Sequence, residues 1–227
     1  MTVSSSGSAS PSIEIRDVWL SNIDEEFATI RSLLRDYPYV AMDTEFPGVV
    51  ATPLGQFKSK EDFNYQQVSC NVNMLRLIQV GFTLLNEQGE LPESKLVWQF
   101  NFSFSLGSDM YSNESIDMLR TAGINFERLQ NDGIPMELFG ELLTTSGMLV
   151  DTNIVWLTFS SGYDFGYLLR SVISKDLPKE ESQFFQVANP HDGTGGTLQF
   201  HRLLFPSSYD IKFLLRTTAC QNAKLKG

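Results

Sequence analysis

Residues 40–46 read Val-Ala-Met-Asp-Thr-Glu-Phe, a run with β-branched and aromatic residues closed by Pro47-Gly48, and no other stretch limits the possible folds as much. Such a run ahead of a turn predicts a strand. Side chains alternate between the faces of a strand, so Asp43 and Glu45 share one face with their carboxylates about 7 Å apart. Two acids on an otherwise apolar strand each lose several kcal/mol of hydration unless something positive compensates them. A cation is therefore expected beside them. With oxygen donors only and no His or Cys nearby, Mg²⁺ or Mn²⁺ suits the pair better than zinc. The spacing alone says little, because 27 acids among 227 residues give roughly one Asp-x-Glu by chance, and Asp24 with Glu26 is a second example. The apolar strand and its Pro-Gly stop are what favour chemistry over a solvated pair.

Around this strand the periodicities predict an alternating chain. Ser21 with Asp24 opens a helix whose apolar face is Ile23, Phe27, Ile30, Leu33 and Leu34, ending at Pro38. A polar, Gln- and Asn-rich connection runs from Gly55 to Asn73. Strands are expected over Leu75 to Leu85 and Leu96 to Phe104, joined by a turn at Asn86-Glu87-Gln88-Gly89. Helical spacing returns over 115–121 and 135–146, the latter with Leu138, Phe139, Leu142 and Leu143 on one face. Val155 to Phe159 reads as a buried strand, and 164–173 and 208–217 read as helices. Residues 1–11 lack large apolar groups and read as a disordered tail, and 187–199, rich in Gly, Asn, Pro and Asp, as an inserted surface loop. The fold class is α/β: a mixed sheet with helices on both faces.

Charge then narrows the partners. At a net charge of −10 the chain lacks the basic surplus with which a nucleic-acid-coating protein neutralises phosphates. A nuclease that holds cations is still allowed. No apolar stretch approaches the roughly 20 residues a bilayer span needs, and Cys70 and Cys220 stand far apart without metal-type spacing, so a reduced, intracellular protein is expected.

A third acid follows the 155–159 strand. In Ser161-Gly162-Tyr163-Asp164-Phe165-Gly166-Tyr167-Leu168, Asp164 opens a helix, where an acid ordinarily serves as a cap worth about 1 kcal/mol. If it faces the end of the 40–46 strand, it completes a ligand set for a two-ion site.

Seven segments carry a family resemblance: MDTEFPG at 42–48, NEQGELP at 86–92, WQFNF at 98–102, ELLTTSG at 141–147, SGYDFGYL at 161–168, FFQ at 184–186 and LFPSSYDIKFLL at 204–215. In order, from about Ile13 to Gly227, the chain resembles the CAF-type (POP-type) poly(A)-specific ribonucleases, the deadenylase subunits of the CCR–NOT complex. The resemblance implies a ribonuclease H-like domain of the DEDD exonuclease kind over 12–227, C-terminally incomplete. It matches Asp43 and Glu45 to the family's first exonuclease motif and Asp164 to the second. The last motif, a histidine followed five residues later by an aspartate, is expected downstream of Leu225-Lys226-Gly227, since Gly196 lies five residues after His191 and Pro206 five after His201. Asp210 resembles an acid that the family carries outside its metal motifs, and is expected to be structural.

By the same resemblance the cofactors are two divalent cations, Mg²⁺ or Mn²⁺, with Asp43 bridging both and Glu45 and Asp164 completing one sphere each. The implied reaction removes 5′-AMP from the 3′ end of a poly(A) tail. Phe46 and Phe165, with Phe57 and Tyr65 behind them, are the aromatic candidates for stacking on adenine. The implied partners are poly(A) RNA and the scaffold and second nuclease subunit of the complex, with no membrane and no DNA, in cytoplasm and nucleus. The alternative is a catalytically impaired form acting as a non-enzymatic adaptor, because absence of the last motif removes a ligand and the general base. The apolar face Met136, Phe139, Leu142 and Leu143 is expected in the core rather than at a docking surface.

Overall fold

A computed structural model describes residues 13–179 and 200–217. The tail expected at 1–11 and the loop expected at 187–199 lie outside the described residues. In chain order the elements are β1 (Glu14–Val18), α1 (Ile23–Leu33), β2 (Tyr39–Glu45), α2 (Lys60–Met74), β3 (Gln79–Leu85), β4 (Leu96–Asn101), α3 (Asn113–Thr121), α4 (Phe126–Asp132), α5 (Met136–Thr144), β5 (Val155–Thr158), α6 (Gly162–Ile173), α7 (Phe200–Leu204), β6 (Ser207–Asp210) and α8 (Ile211–Thr217). The strands form one sheet in the order β1-β4-β3-β2-β5-β6.

The middle of the sheet is an antiparallel meander, β2 on β3 and β3 on β4. Its second turn is built as expected: Asn86 Oδ1 accepts from the N–H groups of Gln88 and Glu90, and Gly89 takes φ +77°. Parallel strands extend the meander on both sides, β1 beside β4, β5 beside β2 and β6 beside β5. The mixed sheet flanked by helices is therefore as the sequence predicts.

The core is aromatic. Phe82, Phe100 and Phe139 pack on one another, with Phe27 against Phe100 and Trp156 against Phe82. Burial of rings this large is the main stabilising term. The α5 face lies inside, as expected, with Phe139 and Leu143 fully buried and Met136 and Leu142 packed against the core. There α5 crosses α6 so closely at Gly140 that a Cβ would stand 2.0 Å from the Ser171 carbonyl oxygen. Inside the sheet edge, buried Glu26 accepts from Trp98 Nε1 and pairs with Arg16.

Several elements depart from the sequence reading, which predicts neither α4 nor α7. The polar connection 55–73 becomes mostly helix α2, capped by the Ser59 side chain accepting from the Asp62 N–H. Its buried residues are Tyr65, Ser69, Asn71 and Val72, half of them polar, so no apolar stripe announces it. The helix expected over 208–217 starts only at Ile211, because Ser207–Asp210 pair in parallel with Val155–Thr158. An open sheet edge offers those backbone groups partners that outweigh local propensity. β1 adds a strand where only Val18 is buried, so its sequence shows no alternation. Among the described residues, no helix is long and apolar enough to cross a membrane.

Candidate active site

Strand β2 pairs with β3 along its whole length, Tyr39↔Leu85 to Glu45↔Gln79, but with β5 only from Tyr39 to Ala41. Past Ala41 the two parallel strands part. β5 ends at Thr158 and the chain turns through Ser160, at φ +67°, into α6. The opening lies outside the carboxyl ends of two adjacent parallel strands, where open α/β sheets bind ligands.

The acidic end of β2 borders this opening. Met42 and Thr44 are buried while Asp43 and Glu45 are exposed, the alternation expected of a strand with one face in the core. Asp164 stands in the first turn of α6, 6% exposed, and the Thr44 hydroxyl donates to its Oδ1. Strand and helix, 120 residues apart in the chain, thus meet at this contact.

Electrostatics tie the three acids together. Burial pushes the Asp164 carboxyl up to about 6; the Thr44 hydroxyl opposes the shift and the Asp43 charge adds to it. Glu45, exposed as a residue but with its carboxylate partly shielded, is raised by that shielding and again by Asp43. Asp43 is the common neighbour. Among the described residues, no Lys, Arg or His forms an ion pair with any of the three. The donors are all hard carboxylate oxygens, which fits Mg²⁺ or Mn²⁺. Among the described residues no three His, Cys, Asp or Glu side chains are drawn tightly enough to enclose an ion, and Asp164 keeps one oxygen turned to Thr44.

The aromatic candidates separate. Phe46 is half-buried at the rim, stacked on Tyr163 with ring centroids 4.7 Å apart. Phe165, 5% exposed, packs against Trp156, His201 and Phe205 and borders a cavity it shares with Ser161, Gly162, Tyr209 and Asp210. Tyr65 is buried too, its hydroxyl donating to the Pro178 carbonyl, and Phe57 packs edge-on against Phe63. Asp210 is structural, as expected: it accepts from the Ser160, Ser161 and Phe213 N–H groups and the Ser161 hydroxyl. A cavity lined by Met74, Arg76, Met136, Glu137 and Arg170 includes none of Asp43, Glu45 and Asp164. Thr44 and Tyr163 are the neighbours that the sequence reading passes over. A hydroxyl between two acids, on the face that the alternation sends inward, is the signal that could have found the first.

This sheet order with its crevice defines a ribonuclease H-like α/β protein. Within that class the chain belongs to the CAF1 family of ribonucleases, whose pattern matches residues 18–136 and so includes Asp43 and Glu45. Asp164 lies beyond that stretch. The CCR4-NOT transcription complex subunit 7 of Caenorhabditis elegans is 64% identical over 217 residues, 96% of this chain and 66% of that protein. The poly(A) ribonuclease pop2 of Schizosaccharomyces pombe is 44% identical over 203 residues, 89% of this chain and 57% of that one. The chain thus spans less than two thirds of the length of either relative. Among solved structures, S. pombe Pop2p in its Mg²⁺- and Mn²⁺-bound form superposes with a TM-score of 0.84 at 43% identity, over 93% of this chain and 78% of that one. The yeast CAF1 co-crystallized with the NOT1 MIF4G domain gives 0.73 at 30% identity, over 93% and 74%.

Proposed function

We propose that this protein is a 3′-to-5′ exoribonuclease that shortens poly(A) tails of mRNA, releasing 5′-AMP, as a subunit of a CCR4-NOT complex. The observation that carries the reading is the hydrogen bond that sets Asp164, from α6, against Thr44, the residue between Asp43 and Glu45 at the end of β2, with the Asp43 charge raising the carboxyls of both Asp164 and Glu45. Family membership, a relative named for poly(A) ribonuclease activity and one named as a complex subunit supply the substrate and the assembly. A NOT1 domain co-crystallized with a family member supports the scaffold as partner. On this reading the protein works in cytoplasm and nucleus.

Asp43, Glu45 and Asp164 would hold divalent cations, and a relative solved in a Mg²⁺- and Mn²⁺-bound form supports those ions as the cofactors. Bound there, such ions supply charge stabilisation for the phosphoryl group and a water of lowered pKa. In the hydrolysis a water oxygen joins phosphorus, the P–O3′ bond breaks, and the departing 3′ oxygen takes a proton. The chain's own part is positional: β2 fixes Asp43 and Glu45 on one face, and α6 brings Asp164 to them. The half-buried Phe46–Tyr163 stack beside Glu45 forms an apolar wall at the rim. Asp43, as common neighbour, dominates. Asp43→Ala is expected to lower Mg²⁺-dependent release of 5′-AMP from a 3′-oligoadenylate by roughly 10² to 10⁴. Chromatography of the nucleotide products measures this, and an unchanged rate would refute the assignment.

A further inference from the structure

We propose that Thr44 is a positioning residue, whose hydroxyl sets the rotation of the Asp164 carboxylate against Asp43 and Glu45 across the gap between β2 and α6. The inference rests on reading those three acids as the cation-holding set. Backbone pairing between β2 and β5 stops at Ala41, so the ladder does not fix the distance from the acidic end of β2 to the start of α6. Side-chain contacts bridge that gap: the Phe46 ring on Tyr163 and Tyr167, and the hydrogen bond from Thr44 Oγ1 to Asp164 Oδ1. The stack holds the helix near the strand but leaves the carboxylate free to turn about its own bonds. The Thr44 hydroxyl, the strongest of the hydrogen-bond donors acting on that carboxylate, restricts the freedom.

Position 44 also asks for an explanation. It is 7% exposed and alternates inward beside Met42 and Val40, where valine would fill the same space without a polar atom. Burying a hydroxyl costs free energy unless it is bonded, so its presence implies a use. Its partner is the one acid of the three that does not lie on β2. Groups that orient a metal-holding carboxylate typically alter metal affinity roughly 10- to 100-fold when removed.

The test compares Thr44→Val, which keeps the shape and loses the hydroxyl, with Thr44→Ser, which keeps the hydroxyl, and with Asp43→Ala. The readout is Mn²⁺ affinity by calorimetric titration, with the melting temperature followed in chelator. Thr44→Val is expected to bind Mn²⁺ about ten-fold more weakly or worse with its melting temperature nearly unchanged, and Thr44→Ser to bind close to the wild type. Thr44→Ala takes the place of the valine variant should that fail to fold. Wild-type affinity in Thr44→Val, or a loss in Thr44→Ser equal to that of Thr44→Val, overturns the proposal while Asp43→Ala is impaired. Wild-type affinity in Asp43→Ala overturns the cation reading itself, and the proposal with it.

Discussion

Asp164 is buried, no Lys, Arg or His among the described residues pairs with it, and its carboxyl is held at about 6 instead of its usual 3.8. The folded chain therefore keeps a proton on Asp164 between about pH 4 and 6 that the unfolded chain has released. Stability from this group falls as pH rises through that window, and the full cost, about 3 kcal/mol for some two units, stands at pH 7. Asn in its place still accepts from Thr44 and never ionises. Asp164→Asn should accordingly melt above the wild type at pH 7 in chelator, and the difference should vanish below pH 4. Added Mn²⁺ should raise the wild-type melting temperature and leave that of the variant in place. Scanning calorimetry checks each statement. A residue whose removal stabilises the fold while abolishing activity is held for chemistry.

At the scale of elements, the turn between β5 and α6 controls where Asp164 arrives. Ser160 takes φ +67° there, a conformation that non-glycine residues adopt only when neighbouring groups hold them. Asp210, at the junction of β6 and α8, is that hold, accepting three N–H groups and one hydroxyl and kept below the ordinary carboxylate range by those bonds, against the opposing effect of burial. Asp210→Ala should destabilise the fold by about 0.5–1.5 kcal/mol in chemical denaturation, the net worth of ordinary hydrogen bonds, since water can reach the Ser160 and Phe213 donors it leaves. The elements also show where sequence stops being sufficient. α1, β2, the β3–β4 turn and α5 follow from apolar spacing and turn residues because each buries one apolar face. α2 does not, since Asn71 spends its buried side chain on the backbone of residues 50, 51 and 67. β6 looks helical locally and becomes a strand because β5 has an edge to fill.

For the whole molecule, buried groups pull stability in opposite directions with pH. His201, packed on Phe165 and Phe205, is lowered by burial to about 4, so the unfolded chain binds the extra proton between about 4 and 6.5 and stability from His201 rises with pH. That slope opposes the one from Asp164 over nearly the same range and at similar size. Glu45, raised, adds to the Asp164 slope above 4.5, while Asp210, lowered, acts below 3.8 and so outside this interval. The wild type should therefore be nearly level between pH 4 and 6. His201→Phe, which keeps an aromatic ring there, should lose roughly 3 kcal/mol over that interval. Urea unfolding at three pH values distinguishes the two profiles.

The amino-acid order by itself determined the α/β class, the placement of Asp43 and Glu45 on one side of a strand, and the start of a helix at Asp164. These follow from alternation, helical spacing and turn chemistry, which act over a few residues. Only the tertiary structure decided that β2 and β5 part after Ala41, that Asp164 crosses to Thr44, and that Phe165 turns into the core while Phe46 stays at the rim. Those outcomes depend on register and packing between segments more than a hundred residues apart, and no local preference encodes where such segments meet.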